Sequence, residues 1–181
     1  MSEKDIEDRI IREPGALGYP DAHIIRNVRV SPASGRVDLM ILPPSGRKKL
    51  ALVEVKQASS KEASSQLVGQ LIMYYAASLQ IGLRGLRRVR KFAAEHPTQA
   101  RSPRNTSLNK LAGGAPSQEA GWRLLREGRN LEPHEIDLFL ALDDEPATKL
   151  VDSLRLLKTK HALRIRLVIA NRHTIRVSPA V

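Results

Sequence analysis

A chain of 181 residues, 41% hydrophobic but only 3% aromatic, is long enough for a single domain with a sizeable aliphatic core. The absence of cysteine excludes disulfides, thiol nucleophiles, cysteine zinc sites and cysteine-held iron–sulfur clusters. A net charge of +11 points to a polyanionic partner, nucleic acid ahead of an anionic membrane.

The start, Met1-Ser2-Glu3-Lys4-Asp5, has no basic segment leading into an apolar stretch, so no secretory signal is expected. The longest apolar run, Leu71 to Leu83, contains Gln80 and is too short to span a bilayer. The expectation is a soluble, cytoplasmic protein.

Glu3 to Glu13 reads as a short amphipathic helix with Ile6, Ile10 and Ile11 inward, stopped by Pro14-Gly15. A strand follows from His23 to Val30. Two aliphatic runs, Gly35 to Leu42 and Leu50 to Lys56, then read as a hairpin around Pro43 to Lys49. Ser59 and Glu62 form a capping-box pattern opening a helix to about Ile81, on which Gln66, Gln70 and Tyr74 recur every four residues. Helical character continues from Gly82 to about Lys91, weakened by Gly82 and Gly85.

Pro97 to Pro116 reads as a loop and Gln118 to Glu127 as a short helix. A strand from Glu135 to Leu142, a helix from Ala147 to Lys160 with Leu150, Val151, Leu154 and Leu157 inward, and strands Arg164–Ala170 and Thr174–Val177 complete the chain. This order predicts an α/β fold around a central mixed β-sheet flanked by helices.

Within the hairpin, Asp38, Glu54 and Lys56 interrupt segments that otherwise read as buried strands. Side chains alternate along a strand, so Glu54 and Lys56 share a face. A hairpin closed symmetrically around residues 43–49 sets Leu42 opposite Leu50 and Asp38 opposite Glu54. Directly opposed like charges repel, and a divalent ion held by oxygen ligands removes the conflict. The competing reading is a salt-bridged core without chemistry.

Asp38, the Glu54-Val55-Lys56 triplet and the Gln70-x-x-x-Tyr74 helix together resemble the PD-(D/E)xK nucleases, whose core is the restriction-endonuclease-like fold. The glutamine–tyrosine helix is most similar to the branch with archaeal and actinobacterial mismatch-type endonucleases. The resemblance covers about the first 81 residues, and Asp38 follows Val37 where the family often has proline.

The resemblance implies that Asp38, Glu54 and the Val55 carbonyl bind Mg²⁺ or Mn²⁺, with Lys56 orienting or activating the attacking water. Gln70 and Tyr74 would support the site. An acidic residue of the first helix can complete it, with Glu7 the best match and Glu3 a poorer one. The activity implied is metal-dependent endonucleolytic hydrolysis of DNA phosphodiesters, in repair, recombination or defence.

Residues 82–130 carry 11 Lys or Arg against 3 acidic residues and read as a basic insertion within the single domain. Arg84, Arg87, Arg88 and Lys91 follow helical i, i+3, i+4, i+7 spacing and form a ridge opposite Leu83 and Leu86, suited to phosphate contact. Arg101, Arg104, Arg123 and Arg126 extend that charge along the chain.

Asp143-Asp144-Glu145 is a rival acidic cluster, read as helix capping or solvation before Pro146. The five histidines show no metal-ligand spacing. DNA is favoured over RNA as partner, and the oligomeric state is left open, a homodimer included. The alternatives are a non-catalytic nucleic-acid-binding protein on the same fold and an RNA-processing or scaffold subunit.

Overall fold

The computed structural model describes residues 1–43, 47–60, 66–101 and 129–178, with Arg101 described by its backbone alone. The architecture is α/β. Its elements in chain order are α1 (Glu3–Arg12), β1 (His23–Arg29), β2 (Arg36–Leu42), β3 (Leu50–Lys56), α2 (Gln66–Leu79), α3 (Gly82–Glu95) and β4 (Ala100–Arg101). These are followed by β5 (Ile136–Leu142), α4 (Thr148–His161), β6 (Ile165–Ala170) and β7 (Ile175–Val177).

The described strands form one mixed seven-stranded sheet in the order β4-β1-β2-β3-β5-β6-β7. β3, β5 and β6 run parallel and the remaining neighbours antiparallel.

Alternation along the strands divides the core in two. Met40, Leu42, Leu50, Leu52, Leu138 and Leu140 face α2, α3 and α4 through Leu71, Leu86 and Leu154. Leu39, Ile41, Ala51, Val53 and Phe139 face α1 through Ile6, Ile10 and Ile11. β5 lies between parallel neighbours and is buried at every position, as a strand covered on both faces must be. α1 begins at a reciprocal cap in which the Ser2 hydroxyl and the Asp5 carboxylate each serve the other's backbone N–H.

The helix expected to run on past Ile81 is in fact two. α2 ends at Leu79, and α3 begins at Gly82, whose φ of 50° lies in the left-handed region. Glycine alone takes that conformation at little cost, so the chain turns here instead of continuing.

α3 is an integral layer: Leu86, Val89 and Ala93 are buried in the core, and β4 pairs with β1. The first part of the basic 82–130 stretch therefore contributes to the sheet and its cover. Leu83, expected to pack opposite the basic ridge, is 42% exposed, whereas Leu86 is buried.

Asp143-Asp144-Glu145 does not cap α4, whose N-cap residue is Ala147 without a side-chain cap. Asp143 instead accepts the Ala58 N–H at 2.8 Å and pairs with the Met1 amino group at 3.1 Å, while Glu145 pairs with Arg176. Among the described residues no helix is long and apolar enough to cross a membrane. The expectations for Glu62, Arg104, Arg123, Arg126 and the helix at 118–127 lie outside the described residues, as does the side chain of Arg101.

Candidate active site

The hairpin register is the symmetric one, with Leu39 opposite Val53, Met40 opposite Leu52 and Ile41 opposite Ala51. Pairing stops there, one residue short of Asp38 and Glu54. Residues 51, 53 and 55 present their backbone groups toward β2, so the next rung would join Val55 to Val37. That rung is replaced: the Asp38 carboxylate accepts the Val55 N–H at 2.7 Å. The N–H and C=O of one residue in an extended strand point the same way, so the Val55 carbonyl faces the same gap.

Glu54 is 3% exposed, and its Oε2 is buried without a hydrogen-bond partner. A buried acceptor left unsatisfied costs about 1–3 kcal/mol, more when charged. Burial, reinforced by the Asp38 charge and only partly offset by Lys56, pushes the Glu54 carboxyl up to about 8. Burial raises Asp38 as well, against the Val55 N–H and Lys56, which lower it. Burial thus disfavours both ionised carboxylates, a cost that a nearby cation would offset.

Lys56 turns to α1, where its Nζ lies 3.0 and 3.2 Å from the two carboxylate oxygens of Glu3. Burial alone would lower its pKa, but Glu3, Asp38 and Glu54 raise it overall. Lys56 is therefore a firm ammonium. Glu7, one turn along α1, is pushed up to about 7 by burial first and the Asp38 charge second, against Arg26. Its Oε2 is 3.4 Å from the Arg26 guanidinium. Arg26 also pairs with Asp8.

Of the α2 stripe, Tyr74 is buried and donates its hydroxyl to the Arg36 carbonyl at 2.8 Å. Burial, followed by the charges of Glu54 and Asp38, pushes its phenol up to about 12. Gly35 leaves room for it: a Cβ there would stand 3.0 Å from the Tyr74 hydroxyl oxygen. Gln66 and Gln70 are exposed, and among the described residues no contact joins Gln70 to the carboxylates. Each i, i+4 step overshoots a full turn by about 40°, so residues 66 and 74 differ in direction by roughly 80°.

Arg84, Arg87, Arg88 and Lys91 are all exposed along α3. Lys91 lies 3.7 Å from Glu95, a pair weakened by solvent on both sides.

Sequence reading missed Arg26 and the Glu3–Lys56 pair at this site, and two buried acids elsewhere. Glu135 receives both guanidinium nitrogens of Arg129 at 2.7 and 2.6 Å. Asp137, 7% exposed, is held by Tyr19, Lys48 and Arg166. Asp137 sits as a charge inside an apolar strand, the same signal that marked Asp38 and Glu54, whereas Arg26 stands in a strand already polar at His23, Asn27 and Arg29.

Among the described residues no group of three or more His, Cys, Asp or Glu side chains could enclose a metal alone. What is present suits a hard cation: two carboxylates, one of them with a buried oxygen lacking a hydrogen-bond partner, and a backbone carbonyl aimed at the same gap. Mg²⁺ takes that kind of partial set, completing its shell with water and phosphate. No protein-family model matches this chain, and neither does any curated protein or solved structure.

Proposed function

We propose that this protein is a Mg²⁺- or Mn²⁺-dependent deoxyribonuclease built on a restriction-endonuclease-like core. The observation that carries the reading is the Glu54 oxygen, buried and unpartnered near the half-buried Asp38 carboxylate at the place where two strands part. A purely structural core would be expected to pair or replace such a group.

Asp38, Glu54 and the Val55 carbonyl are the residues that would hold the ion. When bound, it polarises a phosphodiester and makes a coordinated water more acidic.

Lys56, already protonated, cannot accept a proton from that water. It orients the water as a donor and offsets charge that develops on the phosphate oxygens. Glu3 holds Lys56 at the site's edge, and Glu7 supplies a third carboxylate one helical turn away. Tyr74 fixes the start of β2, two residues before Asp38. Gln70, on the exposed side of α2, is the weakest member of the set. The ridge Arg84, Arg87, Arg88 and Lys91 would hold the phosphate backbone without reading its bases.

The test is cleavage of linear, single-stranded, mismatched, flapped and four-way DNA, with matching RNA, in Mg²⁺, Mn²⁺ and EDTA. Metal-dependent cleavage of DNA that Glu54→Gln abolishes is the expected result. Binding without cleavage on every substrate would instead favour a non-catalytic nucleic-acid-binding protein.

A further inference from the structure

A second set of charges sits at the other end of the sheet, where β5 and β6 begin. Asp137 lies opposite Ala51 in the β3–β5 pairing, three residues and about 10 Å along β3 from Glu54. Its Oδ1 is 2.7 Å from Lys48 Nζ, and its Oδ2 is 2.6 Å from Arg166 while also accepting the Tyr19 hydroxyl. One cation would neutralise this carboxylate; two are present. Arg166 is further fixed by stacking 5.0 Å over the Phe139 ring.

Beside this cluster is a cavity of about 590 Å³ lined by Lys48, Tyr75, His134, Asp137, Arg164 and Arg166, among others. That volume is ordinary for a small-molecule site, which runs to about 300–1,000 Å³. Lys48 and Arg166 are about one-third exposed, so each retains donors that Asp137 does not use. Arg164 is exposed, and no acidic side chain among the described residues pairs with it. The neighbouring acid Glu135 is satisfied by Arg129.

Opposing this charge are the exposed Glu132 and the carbonyl end of α4 at Ala162, the latter offset by Lys158, Lys160 and His161 in its last turn. The lining charges alone leave a surplus of two positive charges, which matches a phosphate dianion. Tyr75, half-buried on one wall, supplies a flat apolar surface for a ring.

We propose that this cavity binds the phosphate of a nucleotide-sized ligand, through Arg164, Lys48 and Arg166, with Tyr75 against the ring. The phosphate belongs either to a free nucleotide or to the 5′ end of a nucleic-acid strand. The site is separate from the carboxylate gap and does not rest on the nuclease reading.

The test is calorimetric titration of wild type with adenosine 5′-monophosphate, inorganic phosphate, adenosine, and dinucleotides with and without a 5′-phosphate. Arg164→Ala and the control variant Lys149→Ala, on the first turn of α4, are titrated alongside; both residues are exposed, so folding is not at issue. Saturable one-to-one binding of the monophosphate, displaced by inorganic phosphate, is expected, with adenosine much weaker. Loss of one charge-assisted phosphate contact should weaken binding roughly tenfold or more in Arg164→Ala, with Lys149→Ala unchanged.

Tighter binding of the 5′-phosphorylated dinucleotide would identify a strand end as the source, and tighter binding of the mononucleotide a free nucleotide. No saturable binding, equal binding by Arg164→Ala, or equal loss in Lys149→Ala would overturn the proposal.

Discussion

The carboxylate of Asp38 accepts the backbone N–H of Val55 at 2.7 Å, closing with a side chain the rung that β2 and β3 no longer make. Asp38 thus has two separable roles, one structural and one through its charge. Asp38→Asn keeps an acceptor for the N–H and removes the charge. Its urea midpoint should match wild type or exceed it, because repulsion with Glu54 is gone, while Mg²⁺-dependent cleavage should be lost. Asp38→Ala should lose cleavage and also about 1–3 kcal/mol of stability, the cost of an unpaired buried donor. Active Asp38→Asn enzyme would remove this residue from the chemistry.

Glu54 gives the stability a pH dependence of definite sign. Its carboxyl is raised from 4.5 to about 8 in the folded chain, so the folded state holds a proton that the unfolded state releases between those values. Stability of the metal-free protein should therefore fall as pH rises from about 4.5 to 8. Glu54→Gln should flatten that fall. Mg²⁺ at pH 8 should raise Tm in wild type and not in Glu54→Gln, a readout of metal binding that needs no activity. A Tm indifferent to Mg²⁺ in wild type would count against the metal site.

Glu135 shows the opposite sign. Its hydrogen bonds to Arg129 are the main reason its carboxyl is lowered from 4.5 to about 2. This contribution is present above pH 4.5 and disappears as pH falls toward 2. Arg129→Ala should lower the urea midpoint at pH 7 and narrow the gap to wild type near pH 2. An equal gap at both pH values would mean Arg129 acts through packing alone.

The hairpin, its register and the carboxylate pair were legible because each follows from local rules: strand alternation, symmetric closure and the cost of burying a charge. The sequence could not show that pairing ends at Leu39 and Val53, since splaying depends on what the neighbouring strands impose. Nor could it show Glu3 reaching Lys56 across 53 positions, a contact set by where α1 docks. The α2–α3 break turned on one glycine's φ, which residue type permits but does not dictate. Leu83 was misread because it precedes Arg87 by four residues, about 40° round the helix, so it lies beside the ridge and not opposite it.

Tyr74 ties α2 to the strand that bears Asp38. Tyr74→Phe removes the bond to the Arg36 carbonyl and should cost about 1 kcal/mol of stability. Gly35→Ala places a methyl 3.0 Å from the same hydroxyl, so the tyrosine must shift. Both variants should lower kcat at saturating Mg²⁺ while DNA Kd stays within a factor of two, because the ridge proposed to hold substrate is on α3. Unchanged kcat in both would make Tyr74 an ordinary core residue.

The ridge on α3 is tested through salt. Arg84, Arg87, Arg88 and Lys91 are exposed on a helix whose only acidic residue is Glu95, and that acid engages Lys91 at 3.7 Å. An exposed pair of this kind is worth little, so Lys91 can exchange Glu95 for a phosphate. Each phosphate contact contributes about 0.9 to the slope of log K against log salt on duplex DNA. Replacing all four residues with alanine should reduce that slope by roughly 3–4 units if all of them touch phosphate, and alike for unrelated sequences. Single-turnover cleavage of saturating DNA should change far less, since the proposed role of the ridge is to hold substrate and not to break bonds. Restoring Lys91 alone should return about one unit of slope. A slope that stays put in the quadruple variant would make the ridge a solvated face and move the search for the nucleic-acid surface to the other basic residues.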